Sequence, residues 1–237
     1  MQRFEETVKE RVVYRTEVKY PVSCFEMARI KTRLEKIMLW DENSGGRSYR
    51  VRSLYFDSPY NTDYHEKLAG VNHRKKIRLR IYNNDMSVCK LEKKEKFGEN
   101  QSKQSVMIDI DDARELTEGN IDVLQKYVAD SRSAEDIYLI MRSGIYRPAV
   151  LVDYDRYAFY HPQYDTRITI DFNIRKKEGS VSLQTEPASL VPVDCGNAVL
   201  EIKYTGKSLD FISELLKGCG IEQNAYSKYC ASRMLLN

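Results

Sequence analysis

Charged side chains recur at every second position in several short segments of this 237-residue chain. Arg78 and Arg80 alternate with Ile77, Leu79 and Ile81, and similar alternation occurs in segments on both sides. In a β-strand a period of two places each set on one face, so one face is charged and the other is apolar. The basic members of these faces are Arg15, Lys19, Arg50, Arg52, Arg78, Arg80, Lys90, Lys94, Arg156, Arg167 and Lys203.

The chemistry that suits these cations is phosphate binding. Arginine forks match two phosphate oxygens at once, and lysines add point charges. The same faces carry fewer carboxylates, which can pair with the cations or hold a divalent metal through oxygen ligands. These acidic candidates are Glu17, Glu92, Asp171 and Glu201. The eleven basic and four acidic residues give these faces a net charge of +7, whereas the whole chain has a net charge of only +3. Positive charge is therefore concentrated on these faces. The pattern predicts a ligand that is a chain of phosphates bound together with a metal.

A sheet with one wet face is the plain alternative for any single alternating strand. Several predicted helices carry apolar stripes, such as Ile30, Leu34 and Ile37, and need the apolar face of a sheet to pack on. If they cover that face, the charged faces turn toward one another, as in a barrel with a polar lumen. Single-stranded nucleic acid is another ligand for basic strands that carry tyrosines, but it would need an open face. We therefore expect no nucleic-acid partner.

The order of segments predicts an α+β fold with a large, mainly antiparallel sheet. Helix 22–39 begins at a capping box formed by Ser23 and Glu26. Further helices are predicted at 59–70, 112–130, 133–142, 208–218 (with Ser208 as its cap) and 225–236. Strands are predicted at 12–20, 49–57, 75–83, 87–96, 104–110, 149–160, 166–173 and 198–204, with a weak one near 181–185.

Composition indicates one globular domain over residues 1–237, with 1–11 as a charged, loose lead-in. Five cysteines without a CxxC pair argue against a disulfide framework or a zinc site. There is no P-loop and no GxGxxG motif. The sequence shows neither a signal peptide nor an apolar run of membrane-spanning length. These features predict a cytoplasmic protein without a membrane segment of its own.

The segments also follow one another in a familiar order, which resembles that of the VTC domain. This domain is the polyphosphate polymerase of the vacuolar transporter chaperone complex and of stand-alone bacterial relatives. The similarity covers residues 12–233. The matching segments are RTEVKY at 15–20, YRVRSLYFDS at 49–58, KIRLRIY at 76–82, KLEKKEK at 90–96, YDRYAF at 154–159, TRITID at 166–171, LEIKY at 200–204 and YSKY at 226–229.

This resemblance implies an antiparallel, eight-stranded β-tunnel of the triphosphate tunnel metalloenzymes, with helices packed on the outside. It implies a polymerase that transfers the γ-phosphate of ATP to a growing polyphosphate chain, with Mn²⁺ or alternatively Mg²⁺ as its cofactor. By motif, Glu201 would bind the metal, and Lys103 would lie at the tunnel mouth. The phosphates would be held by Lys19, Arg78, Arg80, Lys90 or Lys94, Arg156, Arg167 and Lys228.

One departure bears on the reaction. Triphosphatases and cyclases of this superfamily carry ExExK on the first strand, whereas this chain has RTEVK, with Arg15 at the position of the first Glu. The change removes one potential metal ligand and adds an anion binder, which favours a polymerase over a two-metal hydrolase. A triphosphatase and a non-catalytic polyphosphate-binding domain remain alternatives. No inositol-pyrophosphate-sensing SPX domain is present, and coupling to translocation would require a separate membrane partner.

Overall fold

The computed structural model describes residues 15–83, 85–98, 100–193, 196–207, 210–217 and 226–234, without the side chains of Arg15, Met86 and Val88. The predicted lead-in 1–11, the first residues of the predicted strand 12–20 and the predicted Ser208 cap lie outside the described residues.

Ten strands lie in these described ranges and form one sheet. Eight of them pair antiparallel in the order β1-β10-β8-β7-β3-β4-β5-β6, and the short β2 and β9 add to β7 and β8. The predicted α+β class and eight-stranded antiparallel sheet are confirmed. The strands are β1 Arg15–Ser23, β2 Leu39–Trp40, β3 Tyr49–Asp57, β4 His73–Tyr82, β5 Asp85–Phe97, β6 Asn100–Ile108, β7 Arg147–His161, β8 Thr166–Glu178, β9 Val191–Pro192 and β10 Asn197–Thr205.

The sheet curls into a half-barrel, and we call the space on its concave face the lumen. Glu17 of β1 and Lys94 of β5 meet across this space, with Lys94 Nζ 3.0 Å from Glu17 Oε2. The described parts of β1 and β6 form the two ends of the hydrogen-bonded order and do not pair with each other. An ion pair, rather than a strand ladder, therefore connects the two sides of the opening.

Seven helices lie in the described ranges. In α1 the predicted capping box is confirmed, because Glu26 N donates to Ser23 Oγ while Ser23 N donates to Glu26 Oε2. The predicted helix 112–130 is divided at Gly119, whose φ of 100° cannot continue a right-handed helix. The helices are α1 Cys24–Ile37, α2 Thr62–Leu68, α3 Ile110–Thr117, α4 Gln125–Val128, α5 Arg132–Ser143, α6 Asp210–Leu216 and α7 Lys228–Ala231.

Two apolar clusters cover the convex face of the sheet. In the first, Leu79 and other residues of β3–β6 pack with residues of α3 and α5 such as Ile137. In the second, Ile170 and its neighbours on β8 and β10 pack with residues of α1 and α6 such as Leu34. Burial of this face by helices leaves the charged face turned inward, as the sequence predicts.

A third cluster lies inside the lumen and involves α7. Tyr229 stacks on Tyr55 of β3 with 5.0 Å between ring centroids. Both rings belong to a buried cluster with Val150 and Val152 of β7. The lumen is thus partly apolar around Tyr55 and Tyr229, and α7 packs against its concave wall.

The prediction of a weak strand at 181–185 is wrong. Thr185 N donates to Ser182 O in a turn, and the short strand of this region is β9. The carbonyl oxygens of Leu183 and Thr185 accept from Arg52 Nη1 at 2.8 and 2.9 Å. Residues 181–185 take part in none of the ladder pairings of β8 and β9.

None of the helices in the described residues combines the length and the apolar character needed to cross a bilayer.

Candidate active site in the lumen

Strand register brings the predicted cations to one place. On β4, Arg78 pairs with Tyr55 of β3 and with Glu92 of β5, while Arg80 pairs with Ser53 and with Lys90. Directly paired residues of an antiparallel ladder lie on the same face of the sheet. All of these side chains therefore face the lumen.

Glu92 organises the first group of cations. Arg78 Nε and Nη2 both lie 2.8 Å from Glu92 Oε2, and Lys103 Nζ lies 2.5 Å from Oε1. Arg80 Nη1 is more distant, at 3.7 Å. Burial would raise the pKa of Glu92, but Arg78, Arg80 and Lys103 lower it to about 2. Glu92 is thus an ionised group that fixes the orientation of Arg78.

Asp171 organises the second group, on β7, β8 and α7. Arg156 contacts both of its oxygens, with Nε 2.6 Å from Oδ1 and Nη2 2.8 Å from Oδ2. Lys228 Nζ lies 2.5 Å from Oδ2. Burial opposes ionisation of Asp171, but Arg156 and Lys228 outweigh it and hold its pKa below the ordinary value. This bidentate pair anchors a guanidinium deep in the lumen.

A third group consists of lysines around two glutamates. Lys19 Nζ lies 2.9 Å from Glu17 Oε1 and 3.6 Å from Glu201 Oε2. Lys203 Nζ lies 2.5 Å from Glu201 Oε1, and Lys94 approaches Glu17. Burial would raise the pKa of Glu201, but Lys203 and Lys19 hold it well below the ordinary value. Both glutamates are ionised at neutral pH.

The carboxylates fit one metal ion better than two. Among the described residues, no group of three or more His, Cys, Asp or Glu side chains could hold a metal ion. Glu17 and Glu201 share Lys19, whereas Glu92 and Asp171 are each engaged by an arginine. Mg²⁺ is commonly bound by one or two carboxylates, with phosphate oxygens and waters completing its shell. The Glu17–Glu201 pair has the donors for such a site.

Two lumen tyrosines were missed as site residues in the sequence. Arg78 Nη1 donates to Tyr55 Oη at 3.1 Å, and Arg80 Nη2 donates to Tyr154 Oη at 3.3 Å. Lys228 Nζ lies 4.9 Å from the centre of the Tyr154 ring. For Tyr154 the pattern contained a signal, because it lies two residues before Arg156 on the same face of the strand. Tyr55 lies on the face of its strand opposite Arg50 and Arg52, so the predicted lumen face of that strand excluded it.

The predicted placement of Arg50 and Arg52 in the lumen is wrong. Arg52 is buried on the convex side, where its Nε donates to Asp153 Oδ2 at 2.9 Å. Arg50 Nε lies 3.7 Å from Asp153 Oδ1. Both faces of the central strand β3 are covered, so its alternation does not show which face is the inner one. Ser53 and Tyr55 occupy the lumen face instead.

Arg167 and Lys90 mark one end of the lumen. The side chain of Arg167 is 40% exposed, and its Nη2 lies 3.0 Å from Asp41 Oδ2. Lys90 Nζ lies 5.7 Å from the centre of the Tyr82 ring. On β1, the backbone of Arg15 pairs with that of Thr205. Its side chain lies outside the described residues.

The other end opens into a cavity of about 410 Å³, which we call the basic mouth. Lys76 and Arg74 lie one and two strand periods before Arg78, outside the segment from Ile77 to Ile81 in which the sequence predicts alternation. Cations outnumber carboxylates in its wall. The basic mouth is lined by Glu17, Lys19, Asp63, Lys67, Arg74, Lys75, Lys76, Lys94, Glu95, Lys96, Gln101, Tyr226, Ser227 and Tyr229.

Solved structures share this fold at low sequence identity. HpAC1 from Hippeastrum, a candidate adenylyl cyclase with a dominant triphosphatase activity, is 16% identical with a TM-score of 0.54, and the match covers 93% of this chain and 95% of that one. A candidate adenylate cyclase from Bacillus halodurans is 15% identical with a TM-score of 0.53, covering 89% and 92%. The fold is therefore that of the triphosphate tunnel proteins.

The family is defined by sequence. The family model described as the VTC domain matches residues 14–237, and this chain belongs to that family. No curated protein is significantly similar to the chain.

Proposed function

We propose that this protein is a metal-dependent polyphosphate polymerase, which transfers the γ-phosphate of ATP to a polyphosphate chain in its lumen. The observation that carries the proposal is the concentration of inward-facing cations around few carboxylates, from Lys19 on β1 to Lys228 on α7. Burying so many like charges is costly unless an anion neutralises them. A linear polyphosphate supplies that charge along the length of the lumen, and membership of the VTC family supports the same substrate.

The arginines have the geometry for phosphate binding. In the proposed site Arg78 and Arg80 hold donor phosphates, with Arg167 at the rim as a further contact. Arg156 and Lys228 hold the transferring or acceptor phosphate. Glu92 and Asp171 fix Arg78 and Arg156 before substrate arrives. Phosphoryl transfer depends mainly on such positioning and on neutralisation of charge.

Glu201, with Glu17 beside it, would hold the metal ion. A bound divalent cation would offset charge on the phosphate oxygens and on the departing diphosphate. Lys19 and Lys203 already contact these glutamates, and in the proposed site they bind phosphate oxygens near them. The acceptor phosphate is already ionised at neutral pH, so this reaction requires no general base.

A triphosphatase is the second candidate. The observation that favours it is the shared fold with HpAC1, which has a dominant triphosphatase activity. In that reaction water takes the place of the acceptor phosphate in an otherwise similar lumen. A non-catalytic polyphosphate-binding domain is less well supported, because the Glu17–Glu201 pair retains donors for a metal.

Incubation of the purified protein with ATP and Mn²⁺, with a parallel Mg²⁺ reaction, separates these candidates. We expect ADP together with a phosphate polymer that is visible on a gel. Orthophosphate release without polymer would instead indicate the triphosphatase. Binding of tripolyphosphate without either product would indicate a binding domain.

A further inference from the structure

Lys76 is a lumen-facing cation to which neither the strand pattern nor the proposed mechanism assigns a role. It lies on β4 two residues before Arg78, and its side chain lines the basic mouth. Its direct partner across the ladder, Lys94 of β5, is also a cation. The groups that act on Lys76 most strongly are Tyr55, Arg78, Lys19 and Lys94, and the other charged or titratable residues lining the mouth are Glu17, Asp63, Lys67, Arg74, Lys75, Glu95, Lys96, Tyr226 and Tyr229.

The cations around Lys76 have acidic partners. Arg78 is bonded to Glu92, and both Lys19 and Lys94 contact Glu17. No carboxylate is among the groups that act most strongly on Lys76. The only neighbour in that group able to offset its charge is Tyr55, in its ionised phenolate form. Tyr55 Oη also accepts a hydrogen bond from Arg78 Nη1.

These surroundings bring the pKa values of Lys76 and Tyr55 into the physiological range. Burial and the charges of Arg78, Lys19 and Lys94 lower the pKa of Lys76 to about 7, although Tyr55 opposes the shift. Burial would raise the pKa of Tyr55, but Arg78, Lys76 and Arg80 lower it to about 7. A polyanion placed among them favours the protonated form of each group, because it stabilises an ammonium and repels a phenolate.

We propose that Lys76 is a phosphate-binding residue that becomes charged as a polyphosphate chain enters the basic mouth, so that binding takes up a proton from solution. The proton adds to the Nζ amine, and Tyr55 is the second acceptor when its phenol is ionised. This inference rests on the proposed function, because it requires the lumen to bind a phosphate chain. It also explains how Lys76 is tolerated beside Arg78, Lys19 and Lys94 in the folded protein without a bound anion.

The pH dependence follows directly. Above pH 7, binding must take up a proton from a solution in which the proton concentration decreases as the pH rises. The affinity for the phosphate chain therefore falls as pH rises. If binding takes up one proton, the affinity falls about tenfold for each unit by which the pH rises above the pKa of the free protein. A permanently charged residue at position 76 would remove its share of this dependence.

The test is calorimetric titration with tripolyphosphate at pH 7.5, without metal, in two buffers of different protonation enthalpy. The wild type is compared with Lys76→Arg and with the control Lys31→Arg. In the wild type, Lys31 forms an ion pair with Glu35 at the surface of α1. Protons that bind to the ligand itself are common to all three proteins, so differences between them report on the protein. We expect the wild type and Lys31→Arg to take up measurably more protons than Lys76→Arg.

Equal proton uptake by the wild type and Lys76→Arg, with binding intact, would overturn this inference and leave the proposed function standing. Failure of the wild type to bind tripolyphosphate would overturn both. Should Lys76→Arg not fold, Lys76→Met provides the second measurement. We expect its affinity to be about tenfold below that of the wild type at pH 6.5, with a smaller difference at pH 8.5. A ratio that does not change with pH would contradict the inference.

Discussion

Glu92 and Asp171 hold arginines, whereas Glu17 and Glu201 hold lysines. This difference matters for chemistry. A bidentate arginine pair is geometrically fixed, while a lysine is a point charge on a flexible stem that can move to a phosphate oxygen. We therefore expect the lysine-bound glutamates to be the ones that exchange a protein cation for a metal ion when the substrate supplies its own oxygens.

The first prediction concerns Glu201. Glu201→Gln keeps the size of the side chain but removes the charge that a hard cation requires. We expect turnover to fall at least about 100-fold, with tripolyphosphate binding in the absence of metal retained. Glu35→Gln on the exposed side of α1 is the matched control. Unchanged activity of Glu201→Gln at limiting metal would remove Glu201 from the metal site.

The second prediction separates two neighbouring arginines. Arg80 donates its hydrogen bonds to neutral partners, Ser53 and Tyr154, and lies 3.7 Å from Glu92. Arg78 contacts the buried Glu92 directly, at 2.8 Å. We expect Arg80→Ala to slow turnover about 100-fold with little change in melting temperature. Arg78→Ala should also lower the melting temperature, because it leaves a buried carboxylate with fewer partners. A melting temperature of Arg78→Ala equal to that of the wild type would show that Arg78 has no structural role.

At the scale of elements, the sequence predicted the strands well. The alternation of Arg78 and Arg80 with apolar residues is seen in β4, and similar patterns gave β8 and β10. These strands have one face on the helices and one in the lumen, so polarity distinguishes the faces. On β3 both faces are buried, and a buried ion cluster around Asp153 lies on the convex side. Polarity alone could not reveal that Arg50 and Arg52 point outward.

The lumen contacts of α7 were beyond sequence reasoning. The YSKY segment suggested only that Lys228 binds phosphate, whereas its pairing with Asp171 and the stacking of Tyr229 join residues far apart in the chain. The same holds for Lys103, which reaches Glu92 from the neighbouring strand β6. Such contacts depend on tertiary packing, which no local period encodes.

The third prediction concerns the attachment of α7. Asp57 accepts hydrogen bonds from Asp63 N and Tyr64 N at the start of α2, and from Tyr229 Oη. Arg233 lies 3.8 Å from Asp57. Tyr229→Phe removes one buried hydrogen bond to a carboxylate and should cost about 1.5–3 kcal/mol of unfolding free energy.

Because Lys228 is adjacent to Tyr229, we also expect kcat to fall more than stability alone explains at a temperature where the variant is folded. Urea unfolding and steady-state kinetics measure the two effects. Tyr138→Phe on α5, remote from the lumen, is the control for loss of a tyrosine hydroxyl. Full activity of folded Tyr229→Phe would mean that the Asp57 contact does not position Lys228.

At the scale of the whole molecule, the lumen makes stability depend on pH. Burial would raise the pKa values of Glu17 and Glu92, but the surrounding cations lower both from 4.5 to about 2. A depressed carboxyl pKa stabilises the fold fully above the unfolded value and loses that effect as pH falls through the folded value.

The fourth prediction follows from the lowered pKa values of these two carboxyl groups. The unfolding free energy should decline as pH falls from about 4.5 towards 2, and Glu92→Gln should make the decline less steep. Urea titrations at several acidic pH values measure the slope, with Glu35→Gln as an exposed control. An unchanged slope in Glu92→Gln would contradict the ion pairs assigned to this carboxylate.

The central claim is that the concave face of the half-barrel binds a linear phosphate chain. A melting series with equal concentrations of tripolyphosphate, orthophosphate and a short single-stranded oligonucleotide tests it most directly. We expect tripolyphosphate to contact several lumen cations at once, so that its later contacts are effectively intramolecular. Its binding to the folded state alone would then raise stability. The Glu17–Lys94 contact across the lumen leaves little room for stacked bases.

We predict a larger melting shift with tripolyphosphate than with either other ligand, and a smaller tripolyphosphate shift in Arg80→Ala. Equal shifts for tripolyphosphate and an oligonucleotide of the same charge, with no effect of Arg80→Ala, would show that the phosphates bind an open basic surface and would contradict the lumen as the substrate site.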